Sequence, residues 1–197
     1  MQLALVRHAE TAEDTRGRCY GRLDVGLSVA GREQCARLAD VFRSEPLRSV
    51  WASPAIRARE TAEAIAAPHR LDVGILEPLR ELDFGELEGR AYDEIAVSDP
   101  ELYAQWMTAP TTVRFPGGES YSDLQSRVDA GIAGLLEQHD EGLVAVVTHG
   151  GVVRAVLRSV LGFPAERIFR IAVEPASVTM LDWLDGEPLV RAVNRPV

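Results

Sequence analysis

Short, wholly apolar runs alternate along this chain with stretches of helical periodicity. Residues 3–6 (LALV) and 143–147 (LVAVV) are continuous apolar runs of the length that a strand buried on both faces requires. Ser49–Ala52 (SVWA), residues 168–173 (IFRIAV) and the β-branched segment 176–183 (ASVTMLDW) predict further strands. Between them, residues 29–43 carry apolar positions at helical spacing behind Ser28, a residue suited to cap a helix N-terminus. Residues 54–66 follow Ser53-Pro54, which reads as an N-cap and a proline at the first helical position. Residues 122–138 and 151–161 predict two more helices. In the second of these, Val152, Val153, Val156, Leu157 and Val160 share one face, while Arg154 and Arg158 lie one turn apart.

Strands alternating with helices predict the α/β class, with helices covering both faces of a sheet. No linker, repeat or low-complexity tract divides the chain, so residues 1–197 read as a single domain. The stretch from about residue 80 to 118 fits the alternation less well. It holds an acidic, glycine-bearing segment (ELDFGELEG), a helical stretch (YDEIAVSDPELYAQWM) and then TAPTTVRFPGGES. It is read as an insertion lying over the sheet.

Composition narrows the function. Of 197 residues, 46% are hydrophobic, enough for a real core. No apolar run approaches the ~20 residues that span a bilayer, and the start, MQLALVRHAE, lacks the pattern of a signal peptide. A cytoplasmic location is expected. The net charge of −9 makes nucleic acid and anionic membranes poor partners. All 21 basic residues are Arg. The absence of Lys removes Schiff-base chemistry and the P-loop lysine and leaves Arg, the better bidentate binder of phosphate. Cys19 and Cys35 are too few for a disulfide scaffold or a zinc site. Cys35 shares a helical stripe with Leu38, Ala39 and Phe42 and reads as a small buried hydrophobe.

The candidate chemistry lies at strand ends. His8 directly follows LALVR, and His149 directly follows LVAVVT. Residues just past the C-termini of parallel strands line the crevice where ligands bind. His69 and His139 have no such placement. Gly150 and Gly151 let backbone approach a ligand and open a helix whose free N–H groups attract anions, although a tight turn with no ligand would look the same. Arg7 adjoins His8, and Arg57 should lean back toward the strand ends. Two guanidinium forks and two imidazoles in one crevice would suit a tetrahedral dianion. A nearby carboxylic acid could protonate a leaving oxygen, but the residues do not choose Glu81 over Asp83, Glu86 or Glu88. Metal-ligand spacings such as HxxxH and HExxH are absent, as is GxSxG. No metal and no cofactor is expected.

Taken in order, LALVRHAET, SPAIRARETA, LRELDFGELEG and VVTHGGVVR resemble the histidine phosphatase (phosphoglycerate mutase-like) superfamily, from about residue 2 to residue 182. The resemblance implies a three-layer α/β/α sandwich and a covalent phosphohistidine mechanism. It implies His8 as nucleophile; Arg7, Arg57 and His149 as holders of the phosphoryl oxygens; Glu81 as proton donor; and Thr11 and Gly150 as further pocket residues. Tyr20, Arg22 and the 92–118 stretch are expected to shape the substrate end. Two positions depart from the family pattern. Ala9 replaces a usual Gly. Asp14 stands where many relatives carry an Asn that touches phosphate; a carboxylate there would repel a dianion, so Asp14 is left out of the binding set.

Within the superfamily, CYGRLDVGLSVAG, LRELDFGELEG and PGGES are most similar to the α-ribazole phosphatase branch of cobalamin synthesis. That implies hydrolysis of α-ribazole 5′-phosphate. Broad-specificity and sugar-phosphate phosphatases share looser forms of the same stretches. A cofactor-dependent phosphoglycerate mutase would use the same five residues, although such mutases are longer. A non-catalytic phospho-ligand binding domain is disfavoured because neither nucleophile nor acid is lost. The expected partner is a small-molecule phosphate ester, and the pattern does not choose between monomer and homodimer.

Overall fold

The computed structural model describes residues 1–12, 15 and 17–197. Asp14 therefore lies outside the described residues. Among those described, strands β1 (Gln2–Arg7), β2 (Leu47–Ala52), β3 (Val73–Ile75), β4 (Leu143–Thr148), β5 (Val178–Leu184) and β6 (Glu187–Arg195) form a six-stranded sheet in the order β3-β2-β4-β1-β5-β6. The pairs β1–β4, β2–β4 and β2–β3 are parallel. β5 runs antiparallel to β1, and β6 antiparallel to β5.

The two strands with the most continuous apolar runs are the central pair, and both are covered on both faces. Alternate side chains of one strand point to opposite faces. Leu3, Leu5, Val144 and Val146 pack with residues of α5 (Tyr121–Gln138) and α6 (Gly150–Leu161). Ala4, Val6, Ala145 and Val147 pack with residues of α1 (Val29–Phe42) and α2 (Ile56–Ala66). This makes the three layers of an α/β/α sandwich. Small residues on the second face let α1 and α2 lie close. Each fully buried Leu or Val contributes roughly 1.5–3 kcal/mol, and a one-residue slip would swap the two faces.

Ser28 caps α1: the Gly31 N–H donates to its Oγ at 2.9 Å. Ser53-Pro54 behaves differently from the expected cap. α2 starts at Ile56 with Ala55 in the cap position, and the Ser53 hydroxyl is instead engaged by a residue just past the end of β4, described below. Residues 168–173 are not a strand. Ala165–Arg170 forms a 3-10 turn after Pro164, with Ile168 buried beneath it. An apolar run this short does not distinguish strand from buried turn, and both flanks of β1 are already taken by β4 and β5. The edge strands β3 and β6 are additions to the sequence reading. β6 is joined to β5 through Asp185 and Gly186, both at positive φ (52° and 85°), the geometry of a tight hairpin turn.

The stretch from Arg80 to Gly118 contains α3 (Tyr92–Ser98) and α4 (Pro100–Thr108). The break between them lies at Asp99, whose φ of −142° suits a residue before proline. Cys19, Leu87, Ile95, Trp106, Val113 and Phe115 form a separate small core here. Gly85 (φ +54°) must be glycine, since a Cβ would sit 2.1 Å from the Pro116 carbonyl oxygen.

Candidate active site

His8 leaves the end of β1 and His149 the end of β4. Because β1 and β4 are neighbours with Arg7 opposite Thr148, the two rings meet edge to face, with centroids 5.2 Å apart. Both are buried. They line a pocket of 140 Å³ together with Arg7, Arg57, Glu81 and Tyr20, and with Arg18, Phe84 and Tyr92. Arg18 and Phe84 were not anticipated and carried no signal of their own, whereas Tyr92 opens the 92–118 stretch expected to shape the substrate end.

The protonation of His8 follows from its surroundings. Nδ1 lies 2.8 Å from the Ala9 carbonyl oxygen, which can only accept, so Nδ1 carries the hydrogen and Nε2 the lone pair. Burial lowers the imidazole pKa well below its ordinary value, and the Arg57 and Arg7 guanidinium groups lower it further. His8 is thus a neutral imidazole at pH 7. Ala9 adopts no positive φ among the described residues, so the absence of Gly at this position costs no backbone strain. His149 is held neutral by burial, then by Arg57, His8 and Arg7.

Arg57 is fully buried, as the lean of a first-turn side chain predicts. It donates to the carbonyl oxygens of Leu23 (2.8 Å), Tyr20 (3.1 Å) and Gly21 (3.0 Å), which ties residues 20–23 to α2. Burial lowers its pKa from the ordinary value while Glu81 and neighbouring groups oppose this. A guanidinium remains charged. Arg7 donates through Nη1 to the Val173 carbonyl.

Contacts separate Glu81 from its acidic neighbours. Its Oε2 accepts from the Gly151 N–H at the start of α6 (3.0 Å), and its Oε1 from the Leu82 N–H (2.9 Å). A Cβ on Gly151 would fall 2.3 Å from Oε1. Asp83 is turned to the Gly85 N–H and to Arg22, Glu88 accepts from the Gly21, Arg22 and Leu23 N–H groups, and Glu86 is exposed. The Glu81 backbone is pinned by Arg127, which donates to the carbonyl oxygens of Pro78, Arg80 and Glu81 and to both Glu119 oxygens. Burial alone would raise the Glu119 carboxyl, but the Arg127 bonds outweigh it and hold the carboxyl below its usual range.

Other expected site residues sit elsewhere. Arg22 is turned away to Asp83 (3.1 Å) and Glu119 (4.0 Å) and does not line the pocket. Two carboxylates outside the crevice hold it there. Thr11 is buried and does not itself line the pocket; its Oγ1 lies 2.8 Å from that of Thr15 and 3.4 Å from the hydroxyl of the pocket residue Tyr20. Gly150 does not line the pocket either; it backs it, since a Cβ there would lie 3.7 Å from Arg7 Nε. His69 and His139 bond to Phe42 and Ser49, away from the crevice.

Among the described residues, Arg7 Nε, Arg57 Nε and His149 Nδ1 are buried without a hydrogen-bond partner. Leaving such atoms unpaired costs roughly 1–3 kcal/mol each. All three belong to residues of one small pocket that also presents a neutral imidazole. The arrangement suits a ligand with several anionic oxygens around one centre, placed against His8 Nε2 and near a carboxyl group.

Residues 3–196 match the family model of the histidine phosphatase superfamily, branch 1. The bifunctional protein Rv2228c of Mycobacterium tuberculosis is 33% identical over 196 residues, 98% of this chain and 54% of its own length. The chain thus spans about half the length of that relative. The probable phosphoglycerate mutase GpmB of Salmonella choleraesuis is 30% identical over 187 residues, 95% of this chain and 87% of its own. The crystal structure of the alpha-ribazole phosphatase from Shigella flexneri superposes with a TM-score of 0.90 at 28% identity, covering 98% of this chain and 96% of that one.

Proposed function

Because the chain belongs to the histidine phosphatase superfamily, we propose that it is a phosphomonoester hydrolase working through a phosphohistidine on His8. The observation that carries this reading is the neutral His8, with its lone pair on Nε2, in a pocket where three buried donor positions of Arg7, Arg57 and His149 lack partners. His8 Nε2 attacks phosphorus and the ester P–O bond breaks. The Glu81 carboxylic acid gives its proton to the departing alkoxide oxygen. Glu81, now a carboxylate, takes a proton from water; the oxygen of that water attacks the phosphohistidine, the P–N bond breaks and phosphate leaves. Arg7 and Arg57 carry fixed charge opposite the transferring oxygens, which is where such transition states gain most.

The substrate we propose is α-ribazole 5′-phosphate. Supporting it are the CYGRLDVGLSVAG, ELDFGELEG and PGGES stretches and the structural likeness to the Shigella enzyme. The likeness to GpmB favours a second reading, phosphoglycerate mutase, which uses the same groups. Phosphate release from α-ribazole 5′-phosphate, p-nitrophenyl phosphate, 3-phosphoglycerate and fructose 2,6-bisphosphate, in EDTA and with a His8→Ala control, tests both. A kcat/KM about 10²-fold higher for α-ribazole phosphate, or ~2.7 kcal/mol of transition-state preference, is expected. Slow and equal turnover of every ester would reduce the assignment to a general phosphatase. Interconversion of phosphoglycerates after priming by a bisphosphate would establish the mutase. Full activity in His8→Ala would overturn the phosphohistidine.

A further inference from the structure

Glu81 sits on no helix or strand, in a stretch that the sheet does not pair. Its place must come from side chains. Four successive backbone carbonyls lead up to it, those of Pro78, Leu79, Arg80 and Glu81 itself, and side chains of two other elements take all four. Arg127 of α5 donates through Nη1 to Pro78 (2.7 Å) and Arg80 (2.6 Å), and through Nη2 to Glu81 (2.9 Å). The Thr148 hydroxyl, at the end of β4, donates to Leu79 at 2.8 Å.

Both donors reach the segment for reasons that lie in their own elements. Alternation along β4 puts Thr148 on the face of Val144 and Val146, where Leu79 and Val128 of α5 also pack. α5 comes close to the segment at Gly131, where a Cβ would lie 2.8 Å from the Pro78 Cβ. Arg127 is one turn earlier on the same face of the helix. Its guanidinium is used to capacity. The remaining N–H groups go to Glu119 Oε1 (2.8 Å) and Oε2 (2.7 Å), so all five donors are engaged. Glu119 in turn brackets the far side of the acid: its Oε2 accepts from the Asp83 N–H (3.1 Å), and its own N–H donates to the Asp83 carbonyl (2.9 Å). Three carbonyl oxygens gathered at one point repel one another, and a guanidinium between them offsets this with charge-assisted bonds. The single ammonium of a lysine cannot span the three carbonyls and the carboxylate together.

Resting on the hydrolase reading, we propose that Arg127 and Thr148 are positioning residues of the general acid. They hold the 78–81 backbone so that the Glu81 carboxyl stays within reach of the ester oxygen and, later, of the attacking water. Neither lines the phosphate pocket. Thr148 directly precedes His149, so one strand end seats both a holder of the phosphoryl group and the acid. A displacement of about 1 Å at such a group costs as much as about 10²-fold in rate.

The test follows p-nitrophenyl, phenyl and ethyl phosphate, by steady-state and burst kinetics, with Arg127→Lys, Thr148→Val and Thr148→Ser. p-Nitrophenolate leaves unaided, whereas ethoxide needs the proton. Arg127→Lys and Thr148→Val should lose about 10-fold or more in kcat/KM on ethyl phosphate, less on phenyl phosphate, and about 2-fold or less on p-nitrophenyl phosphate. On p-nitrophenyl phosphate kcat and KM should fall together. Formation of the phosphohistidine is spared there, while its hydrolysis, which needs Glu81 as base, is slowed, and a burst of p-nitrophenolate results. The burst amplitude counts folded sites, so a loss of folding lowers the amplitude and leaves the ratios between esters unchanged. Thr148→Ser, which keeps the hydroxyl, should restore the parent pattern. Equal losses on the three esters, or parent values throughout, would overturn the positioning role and leave the hydrolase reading standing. Equal damage in Thr148→Ser and Thr148→Val would remove the Thr148 hydroxyl from that role. A parent protein that cleaves none of the three esters, or a His8→Ala protein as active as the parent, would overturn the hydrolase reading instead.

Discussion

The Ser53 Oγ lies 2.7 Å from His149 Nε2, and both side chains are fully buried. The same Oγ accepts from the Ala55 N–H at 3.4 Å. A hydroxyl that accepts from backbone is free to donate to the ring. It then fixes the hydrogen of His149 on Nδ1, the atom left without a partner in the pocket. Ser53→Ala should lower kcat/KM for phosphate esters by about 10-fold or more and cost roughly 1–3 kcal/mol of stability from an orphaned ring nitrogen. Ser53→Thr, which keeps the hydroxyl, should restore most of both. Steady-state kinetics with urea unfolding of the two variants checks this, and equal damage in both would show that only packing matters.

Two buried, neutral imidazoles make stability depend on pH in a defined direction. In the unfolded chain His8 and His149 protonate near pH 6.5, whereas in the folded chain burial and then Arg57 hold both well below that. As pH falls below about 6.5, the unfolded state takes up protons that the folded state refuses, so stability is lost from pH 6.5 downward. Each imidazole contributes up to about 1.4 kcal/mol per pH unit in that window. Urea unfolding at pH 7.0, 6.0 and 5.5 should show the fall, and His8→Gln should flatten it by about half.

Gly151→Ala is a test of the acid. The new Cβ would meet Glu81 Oε1 at 2.3 Å, so the carboxyl must move. Alanine itself is a better helix former than glycine, so the helix does not suffer. An ester with a poor leaving group depends on protonation of its oxygen, while p-nitrophenolate leaves unaided. The variant should therefore lose about 10²-fold or more on an alkyl phosphate and far less on p-nitrophenyl phosphate. Equal losses on the two would remove Glu81 from the acid role.

Arg57→Lys keeps the charge and removes the fork. Three carbonyl acceptors on residues 20–23 lose a common donor. We expect kcat/KM to fall about 10²–10³-fold and stability to fall by about 2 kcal/mol or more, with proteolysis in the 17–24 segment as a sensitive readout. Unchanged cleavage there would show that the loop is held by other contacts.

The Cys19 thiol is pushed up to about 12 by burial and the nearby Glu88, and Cys35 is raised by burial. Neither forms thiolate near pH 8, so a thiol-reactive dye should label the native chain negligibly over an hour and both positions rapidly in denaturant.

How far the sequence could be read follows from the kind of signal each residue leaves. His8 and His149 are legible because parallel strands buried on both faces leave unbroken apolar runs, and a run marks its own end. Arg57 is legible because side-chain lean is a property of any helix. Ser53 misleads: a Ser-Pro pair before a helix looks the same whether its hydroxyl caps that helix or reaches a histidine 96 positions away. β6 hides because its alternation is half-exposed and its last residues are polar, although Asp185-Gly186 was a usable hairpin signal. Phe169 reads as a core strand residue by composition. Only the fold reveals that its neighbour Ile168 takes the buried place and leaves the ring outside.

The pairing of β1 with β4 also sets when this chain can first act. Residue 2 lies opposite residue 143, so the crevice closes across most of the sequence, and β5, which flanks β1 on its other side, comes later still. Contacts this distant in sequence form late and slowly. A nascent chain halted before β4 would carry His8, Arg7 and Arg57 without the His149 that completes the crevice. During refolding, recovery of turnover should coincide with completion of the sheet, so catalysis itself becomes a clock for the slowest long-range step.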